Sequence, residues 1–290
     1  MANILAKNNL SVIMVDPCSH PKFTIGEATT SDTTCHFKIV GEKYGVPEIS
    51  NLSNLHDLSS KVSRTCGVKR TFSFLYHREG QNHSPNESHQ FFGVDNKVLG
   101  PDCHFFRQDT DAYMFHSALK YGATTIKGSV EDVIFHKDHA QVMCKENSKA
   151  GWTRINCSYV FDASGRNSVL AKKFELREKD TLETDSRGIF THMIGVKPHG
   201  GTGASWPFNF KNIYGLKSPL SQSTLHHVFK GGWMWMIPFD NSSSSMNPIC
   251  SVGLMLDRKV YPSSSKSPEE EFNFFVNKFP SIITGLIVEL

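Results

Sequence analysis

Leu10-Ser11-Val12-Ile13-Met14-Val15-Asp16 (LSVIMVD) is an apolar run that ends on an acid. Its length and branched residues read as a buried strand of a parallel sheet. The nine residues before it read as the second half of a helix, ending at Asn8-Asn9, where a left-handed residue is easily accommodated. An Asp at the carboxyl end of the second strand of a dinucleotide fold accepts hydrogen bonds from ribose hydroxyls. Asp16 is the candidate for that role, a plain turn residue being the alternative. The usual G-x-G-x-x-G loop would precede this helix, and the sequence begins after its expected place. Gly201-Thr202-Gly203 lacks the third glycine and is not taken as a phosphate cradle.

Outward from that strand, Ser31 can cap a helix reaching toward Gly45. Val68 to Tyr76 alternates, with Val68, Arg70, Phe72, Phe74 and Tyr76 on one face and Lys69, Thr71 and Ser73 on a more polar one. Residues 78–90 read as a polar loop. Asp109 can cap a second helix that ends at Gly122. Strands follow around 123–127, 130–136 and 139–145, and Tyr159 to Asp162 reads as another strand ending in an acid. From about 187 the pattern is mostly β, near 188–197, 224–230, 232–238 and 249–257. Ser267-Pro268-Glu269-Glu270 is a capping box opening a helix with Phe272, Phe275, Val276 and Phe279 on one stripe, ended by Pro280. The order predicts a mixed α/β (α+β) chain, a dinucleotide fold interleaved with a mostly antiparallel β substrate domain. The expected boundaries are 1–60 and 104–180 for the first, 61–103 and 181–290 for the second.

Composition bounds the function classes. Of 290 residues 39% are hydrophobic and 20% charged, an ordinary globular balance. The net charge of +3 is spread along the chain and supplies no basic patch for nucleic acid. No apolar run is long enough to span a membrane, and no secretory leader is evident. The odd count of seven cysteines, with no C-x-x-C pair, reads as reduced thiols in a cytoplasmic protein. Fourteen histidines show no metal-ligand spacing; His226 and His227 point to opposite faces of a strand. No nucleophile elbow and no paired carboxylates stand out.

Trp233-Met234-Trp235-Met236-Ile237-Pro238 fits W-x-W-x-I-P at each fixed position, and Thr24 to Thr30 carries Gly26-Glu27-Ala28-Thr29. Together with Phe106 to Asp111 and Tyr159 to Phe174 (YVFDASGRNSVLAKKF), these motifs resemble the flavin-dependent halogenases of the tryptophan-halogenase type, within the para-hydroxybenzoate-hydroxylase-like flavoproteins. The resemblance runs in consistent order from about residue 1 to 280. It implies an FAD enzyme that makes hypohalous acid from reduced flavin, oxygen and chloride or bromide, and halogenates an aromatic small molecule or a carrier-bound aromatic. It also implies a separate flavin reductase.

The resemblance further implies residue roles. Lys69 would hold or relay the electrophilic halogen, and Trp233 and Trp235 would wall flavin off from substrate. Taken alone, a strand lysine could face solvent and a W-M-W-M strand could be core. Asp16 would contact ribose, Gly26, Glu27 and Ala28 the flavin, and Arg107 the phosphate or ribitol side. Val130 would meet adenine through its backbone, and Asp162 with Gly165 would form the loop near the flavin. The family continues beyond the region matching residue 280, so both ends look truncated. The alternatives are an FAD-dependent aromatic monooxygenase of the same fold and a non-catalytic remnant.

Overall fold

Strand β1 (Ile13–Asp16) lies parallel to the start of β6 (Thr124–Phe135), with Ile13 opposite Thr124 and Asp16 opposite Lys127. The computed structural model describes residues 1–92, 99–148, 151–178, 181–196 and 218–283. The pair expected around 123–127 and 130–136 is one continuous strand. It pairs with β1 up to Lys127 and with the antiparallel β7 (Ala140–Glu146) from Gly128 to Phe135, with a bulge between Val130 and Asp132. β8 (Trp152–Cys157) completes a sheet in the order β1-β6-β7-β8. Val133, Ala140, Val142 and Cys144 form its core, with Val15, Val130, Ile155 and Leu170 packed around them.

Two expectations fail in this sheet. The apolar run before Asp16 is not a fully buried strand: β1 is an edge strand, and Leu10 and Ile13 are exposed. Tyr159 to Asp162 is not a strand but an irregular segment, with Tyr159 and Phe161 exposed. The strand lies earlier, where W-T-R-I-N-C alternates exposed and half-buried positions against β7.

The helices keep their places but not their caps. Helix α1 (Ala2–Lys7) ends before Asn9, which takes φ +62. Helix α2 (Ser31–Lys43) is capped by Thr30, whose side chain accepts from the Thr33 amide, rather than by Ser31. Helix α3 (Arg107–Lys120) starts two residues before Asp109. That carboxylate instead accepts from the hydroxyls of Ser63 at 2.5 Å and Thr65 at 2.7 Å. Ala6 packs on Ala118 and Ala123, and Asn3 donates to the carbonyl of Met114, fixing α1 to the end of α3.

A six-stranded sheet runs in the order β4-β3-β10-β11-β12-β9. Its strands are β3 (Thr71–Tyr76), β4 (Ser88–Phe92), β9 (Ser186–Ile194), β10 (Ser223–Phe229), β11 (Gly232–Pro238) and β12 (Ile249–Asp257). β4 begins inside the stretch expected to be loop, because His89 and Phe91 find partners on β3. One face buries Leu75, Leu225, Met234, Met236, Val252 and Leu254 against Phe275 and Phe279. Burying each such side chain is worth about 1.5–3 kcal/mol. Phe275 lies on helix α4 (Pro268–Lys278), which opens with the expected reciprocal cap between Ser267 and Glu270. A partly buried ion pair between Arg187 and Glu271 ties β9 to α4.

The alternating stretch Val68 to Tyr76 breaks at Arg70, whose amide bonds the Gln222 carbonyl. The short strand β2 (Gly67–Lys69) leaves the large sheet and pairs with β5 (Asp102–His104). The polar face is the buried one: Lys69, Thr71 and Ser73 are at most 1% exposed, while Phe72, Phe74 and Tyr76 are half-buried.

The chain divides into two compact units, Met1–Phe23 with Asp111–Glu183, and Thr24–Thr110 with Thr184–Leu290. Residues 24–60 and 104–110, grouped by the sequence with the cofactor domain, fold with the second unit. The contacts that tie them there reach residues of the second unit: His104 pairs with Gly67, and Ile25, Ala28 and Phe106 pack on Trp235 and Phe239. Gly201-Thr202-Gly203 lies outside the described residues.

Candidate active site

In the second unit, the loop Gly26-Glu27-Ala28-Thr29 is fixed from three sides. Thr29 pairs with Cys103 through backbone and hydroxyl, and the Phe105 amide donates to the Glu27 carbonyl at 2.7 Å. Arg107, in the first turn of α3, donates to the carbonyls of Ile25 at 2.9 Å and Gly26 at 3.2 Å. Gly26 has φ +97, where a side chain is strained, and a Cβ there would stand 3.2 Å from the Arg107 guanidinium. The Glu27 carboxylate is buried; one oxygen accepts from the Gly26 amide at 3.0 Å and the other faces His192 Nε2 at 3.2 Å. Gly26, Glu27, Ala28 and Arg107 therefore form one assembly.

Lys69 joins it. Its strand pairs Lys69 with Asp102, and its ammonium donates to the carbonyl of Thr29 and lies 3.5 Å from the Phe72 ring centroid. The side chain is 1% exposed, so the solvent-facing alternative is excluded. Burial pushes the ammonium down to about 8, against the pull of the Asp102 carboxylate. Burial also raises Asp102, opposed by Lys69 and the hydroxyls of Thr34 and Ser31. Beside them His104 is fully buried between the Pro238 carbonyl and Thr224, and burial lowers it to about 3, so it is neutral. A lysine near its own pKa, beside bare backbone, can hold a proton or an electrophile without a fixed counter-ion.

The Trp pair lies on the sheet face turned away from the Leu and Met core. Register sets His226 opposite Trp235 and Phe74, and Trp235 opposite Gly253, itself opposite Phe190. Trp235 is buried, donates to Ser251 at 3.2 Å, and packs with Ile25, Ala28 and Phe106. Gly253 leaves the room: a Cβ there would run into the Trp235 ring. Trp233 is 39% exposed and walls a cavity of about 280 Å³ with Phe74, His226 and Val228. Trp235 thus lies against the loop and Trp233 on the open part of the face. Met234 and Met236 are core, as alternation requires.

The first unit holds the other expected residues. Asp16 accepts from the Cys18 amide at 2.9 Å and from Lys22 at 2.5 Å. Burial raises its carboxyl, but these partners outweigh that and hold it below the usual range. Val130 packs in the same cluster as Val15, one residue from Asp16. Asp162 bonds Ser164 and the Leu170 amide, which lowers its carboxyl and shapes the turn where Gly165 takes φ +59. The residues that sequence reasoning missed are Asp102, His192, His226 and Gly253. Each acts through a partner distant in sequence, and none carries a local motif.

No family model matches the chain. The chain is 39% identical to tetracycline 7-halogenase of Kitasatospora aureofaciens over 97% of its length and 49% of that protein's. It is 37% identical to monodechloroaminopyrrolnitrin halogenase PrnC of Pseudomonas fluorescens, over 97% of this chain and 48% of that one. A crystal structure of the halogenase PltM with phloroglucinol and FAD superimposes with a TM-score of 0.87 at 31% identity, over 98% of this chain and 54% of that one. The chain spans about half the length of the curated relatives it matches.

Proposed function

By sequence and fold this chain belongs to the flavin-dependent halogenases, and we propose that it serves the halogenation of an aromatic substrate with reduced FAD, oxygen and chloride or bromide. The observation that carries this reading is the buried ammonium of Lys69, tethered to Thr29 on the Gly26–Thr29 loop and bordered by an aromatic sheet face.

The residues fit the cofactor. Gly26 offers bare backbone in a conformation closed to side chains, and Arg107 adds a cation at its foot. Gly26, Glu27, Ala28 and Arg107 are assigned to the flavin and its phosphate or ribitol side. In the first unit, Asp16 is assigned to ribose, Val130 to adenine, and Asp162 with Gly165 to the turn near the flavin. Bound reduced FAD supplies the oxygen-activating chemistry that makes halide electrophilic. Lys69 holds the electrophilic halogen, its lowered pKa easing proton release. Trp235, packed on Ile25 and Ala28, separates the cofactor side from the open cavity and so disfavours direct hydroxylation.

The substrate is a free or carrier-bound aromatic, and reducing equivalents come from a separate flavin reductase. We place the protein in the cytoplasm, in keeping with its seven free cysteines. Among the described residues no helix is long and apolar enough to cross a membrane. The test is product formation with reduced FAD, with and without halide. A halogenated product that requires halide and disappears in Lys69→Ala, with flavin oxidation intact, is expected. An oxygenated, halogen-free product would move the assignment to an aromatic monooxygenase.

A further inference from the structure

The peptide between Ile25 and Gly26 is held at both ends. Its carbonyl accepts from Arg107 at 2.9 Å, and its N–H donates to one oxygen of the Glu27 carboxylate at 3.0 Å. This peptide leads into Gly26 at φ +97, a conformation that favours glycine. Glu27 thus reaches back to clamp the residue before it, with a side chain only 2% exposed.

A carboxylate taken out of water needs donors in its place. The Gly26 amide serves one oxygen, and the other lies 3.2 Å from Nε2 of His192 on β9. A carboxylate only accepts, so Nε2 carries the proton of that bond. The ring is enclosed: Phe106 lies 5.8 Å from it, Phe239 meets it edge-on at 5.9 Å, and the residue stands opposite Ser251 in the sheet. His192 therefore brings a donor from the large sheet to a side chain of the loop. With an apolar residue at 192, the carboxylate could keep its place only as a buried charge with one oxygen unpaired. Its bond to the Gly26 amide would loosen with it.

We propose that His192 is a positioning residue for the loop Gly26–Thr29: it fixes the Glu27 carboxylate, and through it the Ile25–Gly26 peptide, in one orientation, and so keeps the loop ordered for the flavin. The flavin's part in this rests on the halogenation reading, whereas the clamp rests on the hydrogen bonds alone. Arg107 and His192 then act on opposite ends of one peptide, the first directly and the second through Glu27.

The test compares His192→Gln with His192→Met, two unbranched side chains of similar length of which only the first has a donor. Two quantities are read in the purified chain: hydrogen exchange of the Gly26 amide without FAD, and FAD affinity by fluorescence quenching. His192→Met is expected to speed Gly26 exchange and to weaken FAD binding, each about tenfold, and His192→Gln to recover most of both. In a Glu27→Ala background His192→Met should change neither, because the two residues act through one bond. If His192→Met fails to fold, ¹⁵N NMR of the His192 ring in the unaltered protein replaces it, and a proton held on Nε2 and shielded from exchange is expected. Glutamine and methionine variants that behave alike, a methionine effect undiminished by Glu27→Ala, or an Nε2 without its proton would overturn the proposal. So would Gly26 exchange that follows the donor while a measurable FAD affinity does not. Saturable FAD binding by the parent, with Gly26 exchange indifferent to residue 192, removes the role of His192 alone. Exchange that follows the donor in a chain that binds no FAD removes the flavin reading alone.

Discussion

Lys69 places an ammonium where water does not reach, and its nearest oxygen is a neutral carbonyl rather than a carboxylate. Its pKa of about 8 lies below the ordinary 10.5. Between those values the unfolded chain binds more protons than the folded one, so stability from this residue rises as pH increases from about 8 to 10.5. The full effect is on the order of 3 kcal/mol. Urea unfolding of the parent and of Lys69→Met across that window should therefore diverge; parallel curves would show that the ammonium is not buried in solution. Asp16 behaves oppositely: its lowered carboxyl stabilises above the ordinary carboxylate range, and that contribution is lost as pH falls through its folded pKa. At this scale the sequence singled out Lys69 by its place in the family's order and its position on a strand. For His226 it read only the face of the strand, since its neighbours come from two other strands, β3 and β11.

At the scale of elements, β11 and β12 fix the Trp pair by register. Trp235 faces Gly253, and only a residue without a Cβ leaves space for the indole. Gly253→Ala should cost roughly 1–3 kcal/mol through overpacking. It should also shift Trp235 emission to the red as the ring is driven from its site; unchanged emission and Tm would mean that the sheet relaxes around the methyl group. Helix α4 depends on its reciprocal cap, so Ser267→Ala should lower stability by about 1 kcal/mol in urea unfolding. That cap was legible because its parts lie three residues apart. The caps of α2 and α3 were misplaced because neighbouring hydroxyls and carboxylates compete locally. Asp109 serves Ser63 and Thr65 instead, and no local pattern announces that choice.

For the whole chain, the decisive quantity is affinity for FAD. At a hundredfold excess over Kd, a ligand that binds only the folded state stabilises it by about 2.7 kcal/mol. Flavin fluorescence quenching and a thermal shift of several degrees are expected for the purified chain. Arg107→Ala, which frees the carbonyls of Ile25 and Gly26, should weaken binding about tenfold. No quenching at high micromolar FAD would leave a halogenase-like fold without cofactor function in this polypeptide.

The sequence by itself determined what local chemistry can encode: the acid-ended strand, the Trp-Met alternation, the capping box, the Gly26 loop and, through these, the family. Periodicity and turn chemistry act over a few residues, so they survive in the linear pattern. Tertiary structure decided which side of each element is buried and which residues meet. It turned the polar face of Lys69, Thr71 and Ser73 inward, and Leu75, on the same face of β3, packs into the main core. It drew residues 24–60 into the second unit, because Ala28 and Thr29 pair with the strand at 102–104. It also set His226 between Phe74 and Trp235 by register. Such contacts join residues far apart in the chain, and their free energy depends on packing that no short window of sequence contains.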